Sequence, residues 1–234
     1  MLCYIDHLSK IIYIMPPKCG TTTISAFLGV TLHEKNDAHK YLNDATYKKI
    51  IIYVENIVKR FLSGFYEDLF NNKCYSDMNI TFEEYIQFVH QIYKQKIPNV
   101  RNLNCCTKYD HDLYYGGCSH VTLPITNACG EFTGHIQTQK YAIGKLIDNI
   151  TCLNVNIIEL NDLHKIVNGV HSNKKKYVDI DYDINDTKLS YMYEHKVVIN
   201  ESYISEKQHK IITEICEEDK LFIQHIKNKY SAYK

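Results

Sequence analysis

The sequence predicts an α/β fold: a three-layer sandwich with a central parallel sheet and a P-loop-like strand–loop–helix near its amino terminus. Short apolar runs alternate with segments of helical periodicity, which is typical of a parallel sheet covered by helices. The chain has only nine glycines and four prolines, yet Pro16, Pro17 and Gly20 stand together where the first such run meets a helix. One domain over 1–234 is long enough to enclose a core, and no repeat or linker divides it.

The individual elements follow from the spacing of the apolar residues. The predicted strands are 11–15, 50–54 and 155–160. The predicted helices are 22–29, 56–71, 81–95, 135–147, a segment after 161, and a tail from Ser205 to Tyr230 that breaks near Asp219. Thr81 and Glu84 form a capping box, which makes the start of the helix over 81–95 well defined. The segments 101–134 and 171–188 lack periodicity and are predicted to be irregular.

Charge and hydropathy exclude several classes of protein. Lys and Arg number 27 and Asp and Glu number 27, so the basic excess of a general nucleic-acid binder is absent. No run approaches the ~20 apolar residues of a membrane span. Asp6, His7 and Lys10 interrupt the N-terminal apolar stretch, unlike in a signal peptide. We expect a soluble, intracellular chain, or a catalytic part separated from its anchor; localisation stays open, with the cytoplasm as one option.

The nine cysteines do not predict a metal site. Four of them share one segment with four Asp and His residues, but their intervals match no familiar zinc spacing. The segment holds Cys105, Cys106, Asp110, His111, Asp112, Cys118, His120 and Cys129. We therefore expect no metal, and either reduced cysteines or one or two disulfides that brace a loop.

The stretch PPKCGTTT, residues 16–23, has the composition of an anion cradle. A strand, a tight turn and a helix N-terminus present unpaired N–H groups and the positive end of the helix dipole. Lys18 adds an ammonium group, Thr21, Thr22 and Thr23 add hydroxyls, and Gly20 allows close approach of the backbone. The lysine precedes the single glycine, so this is not the motif of a P-loop NTPase. The alternative is a threonine-capped turn with a solvated Lys18.

A second strand-to-helix junction supports the interpretation of the first as an anion site. In IIIYVENIVKRFLSGFYEDL, residues 50–69, Arg60 and Ser63 lie one helical turn apart, where a charged donor and a hydroxyl can bind a second phosphate. The alternative is that Arg60 pairs with Glu67 or Asp68 on the helix surface. Two such junctions suit the two ends of a bis-phosphorylated nucleotide.

These residues resemble those of sulfotransferases that use 3′-phosphoadenosine-5′-phosphosulfate (PAPS), and most closely the Golgi carbohydrate sulfotransferases. PPKCGTTTI resembles their 5′-phosphosulfate loop, and YVENIVKRFLSGFYEDL resembles their 3′-phosphate segment, V-R-[DN]-P-x-x-R-x-x-S-x-[YF]. Three further segments are similar to the H-x-x-x-Q, acid-x-x-Leu and terminal Asp-x-x-[LI]-[FY] patterns: GHIQTQ at 134–139, IIELNDL at 157–163 and EEDKLF at 217–222.

The chain departs from that pattern at two positions. Glu55 stands where the arginine that binds the 3′-phosphate is expected, and Ile57 replaces a proline. An acid beside a phosphate is repulsive. Either another cation such as Arg101 or Lys59 compensates, or Glu55 turns away, or the chain binds PAPS poorly.

The resemblance implies a PAPS-dependent transfer of a sulfuryl group to a hydroxyl of a carbohydrate, with no metal. Lys18 would stabilise the leaving oxygen, Cys19, Gly20 and the three threonines would hold the 5′-phosphate, and Arg60 and Ser63 the 3′-phosphate. His39 is the expected general base, with His33, Glu34 and His135 as rivals. His135 and Gln139 are the expected acceptor contacts, with Gln139 as an orienting or substrate-binding residue. Tyr109, Tyr114 and Tyr115 could stack on sugar rings, or they pack ordinarily.

Two other classes compete with this interpretation. A phosphoryl-transfer enzyme is disfavoured because the sequence lacks a Walker lysine and a paired-acid Mg²⁺ site. A catalytically impaired sulfotransferase-like protein that binds a nucleotide or glycan is the stronger alternative, and Glu55 is the observation in its favour.

Overall fold

The computed structural model describes residues 2–29, 38–71, 79–95, 136, 138–167, 178–179 and 187–231. These residues fall into two compact units. The first unit takes its residues from Met1–Ile57, Thr138–Lys174 and Glu218–Lys234, and the second from Val58–Gln137 and Lys175–Glu217. The single domain expected over 1–234 stays a prediction.

The regular elements, in chain order, have the following bounds. The strands are β1 (Leu2–Asp6), β2 (Ile11–Met15), β3 (Lys48–Tyr53), β4 (Val155–Glu159), β5 (Val178–Asp179) and β6 (Val197–Val198). The α-helices are α1 (Thr21–Leu28), α2 (Ala38–Tyr41), α3 (Ile57–Tyr66), α4 (Phe82–Gln95), α5 (Gln139–Asp148), α6 (Leu189–His195), α7 (Glu206–Ile215) and α8 (Glu217–Ser231). A π-helical turn covers Glu67–Asn71, and 3₁₀ turns cover Leu160–Lys165 and Glu201–Tyr203.

The first unit is α/β, with a central sheet of four strands in the order β1-β2-β3-β4. The strands β2, β3 and β4 run parallel, as the sequence predicts. At the edge, β1 pairs antiparallel with β2, so that Leu2 lies opposite Met15 and Asp6 opposite Ile11. The sheet is therefore mixed, and the prediction of a wholly parallel sheet is wrong at this edge.

A short hairpin explains the antiparallel edge. The carboxylate of Asp6 accepts hydrogen bonds from the N–H groups of Leu8 and Ser9, at 3.0 and 3.1 Å. These bonds, that of Ser9 foremost, hold the pKa of Asp6 below its usual range. Lys10 takes a left-handed conformation with φ 51° and completes the reversal. Asp at the start of such a turn favours this local geometry.

Helices cover both faces of the sheet. On one face, Tyr13, Met15 and Ile50 pack with Ile24 of α1 and with Leu163. On the other face, side chains of the alternate strand positions are fully buried, because successive residues of a strand point to opposite sides. These include Ile12, Ile14 and Ile51. On this side the α8 residue Lys227 lies over the ring of Tyr53.

A buried lysine closes the turn that precedes β3. Lys49 is 0% exposed, and its Nζ donates to the carbonyl of Tyr47 at 2.7 Å and to the carbonyl of Asp44. Because a buried ammonium is costly unless its donors are satisfied, these two carbonyls account for its position in the core.

The second unit is mainly helical. The helix α4 packs on α7, where His90 Nε2 lies 2.7 Å from Glu214 Oε2 and Lys207 Nζ lies 2.8 Å from Glu83 Oε1. The predicted capping box is confirmed, because Glu84 N–H donates to Thr81 Oγ1 and Thr81 N–H donates to the Glu84 carboxylate, at 3.2 and 2.7 Å.

Most predicted elements are confirmed within a few residues. The predicted helix after 161 is a 3₁₀ turn, and the one over 135–147 begins at Gln139. The tail forms two helices, since α7 ends at Ile215 and α8 begins at Glu217, so the predicted break near Asp219 is confirmed at Cys216. Across the ranges given above, none of the helices combines the length and apolar character that crossing a membrane requires.

Candidate functional site

The loop from β2 to α1 turns the chain sharply at two closely spaced residues. Lys18 and Gly20 both adopt positive φ values, 64° and 86°. Between them, the N–H of Cys19 donates to the carbonyl of Pro16 at 3.3 Å. The chain then enters α1, where the N–H of Ile24 donates to the carbonyl of Gly20 at 2.9 Å. A lysine in the left-handed region is uncommon and marks a loop with one preferred shape.

The N-cap of α1 is Gly20 rather than a threonine. Glycine offers no side-chain acceptor, so Gly20 itself does not cap the first-turn N–H groups of the helix. Thr21 and Thr23 are half-buried at this end, and Thr22 lies in the same turn. The N-cap is therefore not a threonine, whereas the alternative of an ordinary turn with a solvated Lys18 stays a prediction.

Gly20 is also required for steric reasons. A Cβ atom at this position would lie 2.8 Å from Leu163 Cδ2 and 2.9 Å from Leu160 Cδ1. The 3₁₀ turn after β4 thus packs directly against the loop. The missing side chain of Gly20 lets the backbone approach these leucines closely.

The start of α5 lies beside the same loop. Gln139 is 0% exposed. Its Nε2 donates to the carbonyl of Val54 at 2.9 Å, and its Oε1 accepts from the N–H of Val54 at 2.9 Å. The thiol of Cys19 lies 3.7 Å from the same Oε1. The expected role of Gln139 as an acceptor contact stays a prediction, and its observed partners lie within the protein.

Glu55, the residue expected to oppose a phosphate, is paired with a cation. Its carboxylate accepts a hydrogen bond from Lys227 Nζ of α8. This hydrogen bond is the leading reason that the pKa of Lys227 is raised. Lys227 was not predicted from the sequence, because the two residues are 172 positions apart and no local pattern joins them.

Arg60 and Ser63 lie one turn apart on α3, as predicted. Arg60 is 2% exposed, and Ser63 is half-buried. Arg60 therefore lies in the interior of the second unit rather than on the surface of its helix.

Several expected residues fall outside what the structure describes. His39 belongs to the short helix α2, but its side chain is not described. His33, Glu34, Arg101, Tyr109, Tyr114, Tyr115, His135 and the cysteine-rich segment 105–129 lie outside the described ranges. Among the residues that are described, no group of three His, Cys, Asp or Glu side chains could hold a metal ion.

The loop, its two flanking leucines and Gln139 form the best-defined candidate site of the first unit. It contains the residue types that the sequence leads us to expect of an anion site, a lysine and threonines beside a helix start, and that expectation stays a prediction. No protein-family model, curated protein or solved structure matches the chain.

Proposed function

We propose that this protein is a PAPS-dependent sulfotransferase that moves a sulfuryl group to a hydroxyl of a carbohydrate acceptor. The observation that carries the proposal is the loop between β2 and α1. There, Lys18 and Gly20 turn the backbone at φ 64° and 86°, and α1 begins without a side-chain cap. The resemblance of PPKCGTTT to a phosphosulfate loop supplies the identity of the anion.

The geometry of the loop supports the binding of a tetrahedral anion. The N–H groups that follow Gly20 have no partner within the helix, and the helix dipole favours negative charge at this end. Adding a side chain at Gly20 would meet Leu160 and Leu163, so the close approach depends on glycine. Backbone donors positioned in this way lose little freedom when an anion binds.

Each residue of the proposed site has a distinct task. PAPS supplies an activated sulfuryl group on its 5′-phosphate. Lys18 stabilises the negative charge that grows on the oxygen that leaves, and Thr21, Thr22 and Thr23 hold the 5′-phosphate. His39 takes the proton of the acceptor hydroxyl. The assignment of Arg60 and Ser63 to the 3′-phosphate, and of His135 to the acceptor, is carried by the resemblance alone.

The second candidate is a sulfotransferase-like protein that binds its ligand without turnover. Glu55 favours it, because an acid replaces an expected arginine. The pairing of Glu55 with Lys227 weakens this argument, since the neighbouring ammonium offsets the negative charge. We therefore favour the enzyme.

Calorimetric titration of 3′-phosphoadenosine-5′-phosphate (PAP) tests the cofactor site. Lys18→Ala should weaken binding by about 10- to 100-fold, the usual effect of losing a charged hydrogen bond. Lys10→Ala is a matched control, because Lys10 is also a left-handed lysine of the first unit, with φ 51°. It should bind PAP like the wild type.

The second measurement separates the enzyme from the binding protein. Labelled PAPS is incubated with a panel of glycans, and transfer to any glycan that Lys18→Ala abolishes supports the enzyme. PAP binding without transfer supports the binding protein. A folded wild type that does not bind PAP contradicts the enzyme and leaves a sulfotransferase-like protein that binds a glycan.

A further inference from the structure

At the end of β3, the side-chain amide of Gln139 makes the pair of backbone hydrogen bonds that a neighbouring strand would otherwise make. The strand ends at Tyr53, and the side-chain amide of Gln139 then binds both the N–H and the C=O of Val54, each at 2.9 Å. A side chain needs a donor and an acceptor on one planar group to make this pair of bonds. Glutamate lacks the donor, and leucine or methionine lacks both.

The same amide reaches the anion loop. Gln139 Oε1 also lies 3.7 Å from the thiol of Cys19, and both residues are 0% exposed. Cys19 stands between Lys18 and Gly20, the two residues with left-handed backbone. The buried thiol therefore ties the middle of the turn to a group that is fixed on the exit of β3.

Gln139 is itself held in place by α8. Its N–H and that of Lys140 both donate to Asp219 Oδ1, which satisfies the first donors of α5. Asp219 is 0% exposed, so this contact lies in the interior of the unit. The amide of Gln139 is thus positioned from its backbone side and has little freedom to turn.

We infer that Gln139 is a positioning residue for the anion loop, fixing the conformation that presents Lys18 and the N–H groups of α1. The inference rests on the proposed function for the identity of the anion, but the coupling of Gln139 to the loop does not. A loop held in its binding conformation loses less free energy on binding, because little conformational freedom remains to be lost.

The test compares two buried glutamines. Gln139→Met keeps the length of the side chain and removes its hydrogen bonds. Gln208→Met is the matched control: Gln208 is 1% exposed, and its Oε1 accepts from Ser205 N–H at 3.0 Å in the second unit. Both variants lose hydrogen bonds of a buried amide, but only the first loses bonds to Val54 and Cys19.

Two readouts are taken at a temperature where all proteins are folded by circular dichroism. Hydrogen exchange should accelerate about tenfold or more at the amides of Cys19 and Ile24 in Gln139→Met, since local opening becomes easier. PAP affinity should fall about tenfold in the same variant. Gln208→Met should leave both unchanged.

The two readouts keep the inference separate from the proposed function. Faster exchange in the loop of Gln139→Met, with no PAP binding by the wild type, supports the inference and contradicts the function. Unchanged exchange in that loop overturns the inference, and so does an equal acceleration in Gln208→Met.

If Gln139→Met does not fold, substitutions of Cys19 test the inference instead. Cys19→Ser retains a donor toward Gln139, whereas Cys19→Ala removes it at similar volume. Loop exchange should be about tenfold faster in Cys19→Ala than in Cys19→Ser. Equal exchange in the two variants overturns the inference.

Discussion

The ammonium group of Lys227 is paired with the carboxylate of Glu55 and lies 5.4 Å from the centre of the Tyr53 ring. The carboxylate and the ring both favour a cation at this position. Lys227 is therefore a cation beside Glu55 to which no local pattern in the sequence points. The alternatives that the sequence leaves open, namely compensation by Arg101 or Lys59, a Glu55 that turns away and poor binding of PAPS, stay predictions.

The pair of Glu55 and Lys227 predicts that PAP binds more tightly when the acid is removed. Glu55→Gln deletes one negative charge and leaves Lys227 without its carboxylate partner. We expect PAP to bind about two- to tenfold more tightly, because the segment becomes more positive. Lys227→Met should have the opposite effect. Isothermal titration at low and high salt measures both.

A second ion pair of the first unit serves as the control. Lys165 Nζ lies 2.8 Å from Asp162 Oδ1, and both side chains are about half exposed. Asp162→Asn changes the net charge by the same amount as Glu55→Gln. Equal gains in PAP affinity in these two variants would mean that only net charge matters, and the specific role of Glu55 would be refuted.

Gly20 provides a prediction about stability. Gly20→Ala forces a side chain into the left-handed region and against Leu160 and Leu163. Gly29, at the other end of α1, has φ 65°, and a Cβ added there would meet no atom within 4 Å, so Gly29→Ala carries the backbone strain alone. We expect each to cost about 1–2 kcal/mol from strain, with a further loss in Gly20→Ala.

Chemical denaturation of the two glycine variants measures this difference. PAP titration should show weaker binding for Gly20→Ala and unchanged binding for Gly29→Ala. Equal free energies of unfolding would show that the leucines shift without cost, and the steric argument for Gly20 would then fail.

The capping box of α4 predicts a dependence of stability on pH. The N–H of Thr81, foremost, lowers the pKa of Glu84 from its ordinary 4.5. A carboxyl group whose pKa is lower in the folded state stabilises the protein above its unfolded pKa, and this contribution is lost as the pH falls through the folded pKa. Glu84→Gln keeps an acceptor for Thr81 but cannot titrate.

We therefore expect the melting temperature of Glu84→Gln to fall less steeply than that of the wild type below pH 4.5. Glu206→Gln is the control, since Glu206 is in the first turn of α7, where the capping box uses the neutral Gln208. Parallel pH profiles for the wild type and Glu84→Gln would contradict the prediction.

The buried position of Lys49 predicts that replacing this lysine lowers the free energy of unfolding substantially. Lys49→Met removes the ammonium that donates to the carbonyls of Asp44 and Tyr47. The carbonyl of Asp44 still accepts from the N–H of Tyr47 at 3.1 Å, whereas the buried carbonyl of Tyr47 loses its bond to Lys49. Losing the partner of a buried carbonyl costs about 1–3 kcal/mol, so we expect a loss of that size in urea unfolding. Lys48→Met, at the adjacent half-buried position, should change the free energy of unfolding by less than about 0.5 kcal/mol.

The elements that the sequence predicts well carry their signal locally. The strands β2, β3 and β4 are short apolar runs, and the start of α4 is marked by Thr81 and Glu84. The strand β1 is not predicted because Asp6 and His7 resemble a polar interruption, whereas Asp6 in fact forms the hairpin turn. The strand β3 begins two residues before its predicted start. The prediction missed these residues because Lys48 and Lys49 are charged and do not belong to the apolar run.

The candidate site likewise has a part that the local sequence predicts and a part that it does not. Prolines, glycine and threonines that are adjacent in sequence predict the loop at 16–23. The contacts that fix the loop do not show in any local pattern, because Gln139 and Cys19 are 120 positions apart. The pairing of Lys227 with Glu55 spans a longer separation still. Only the folded chain brings such residues together.

The contact between Asp219 and the start of α5 also bears on the order in which the chain assembles. The two partners are 80 residues apart, and the first unit combines early, middle and late segments of the sequence. During synthesis, α5 leaves the ribosome long before the carboxylate that caps it. The sheet unit can therefore be completed only after α8 has emerged, and its folding is expected to be slow because contacts between distant segments require the closure of long loops.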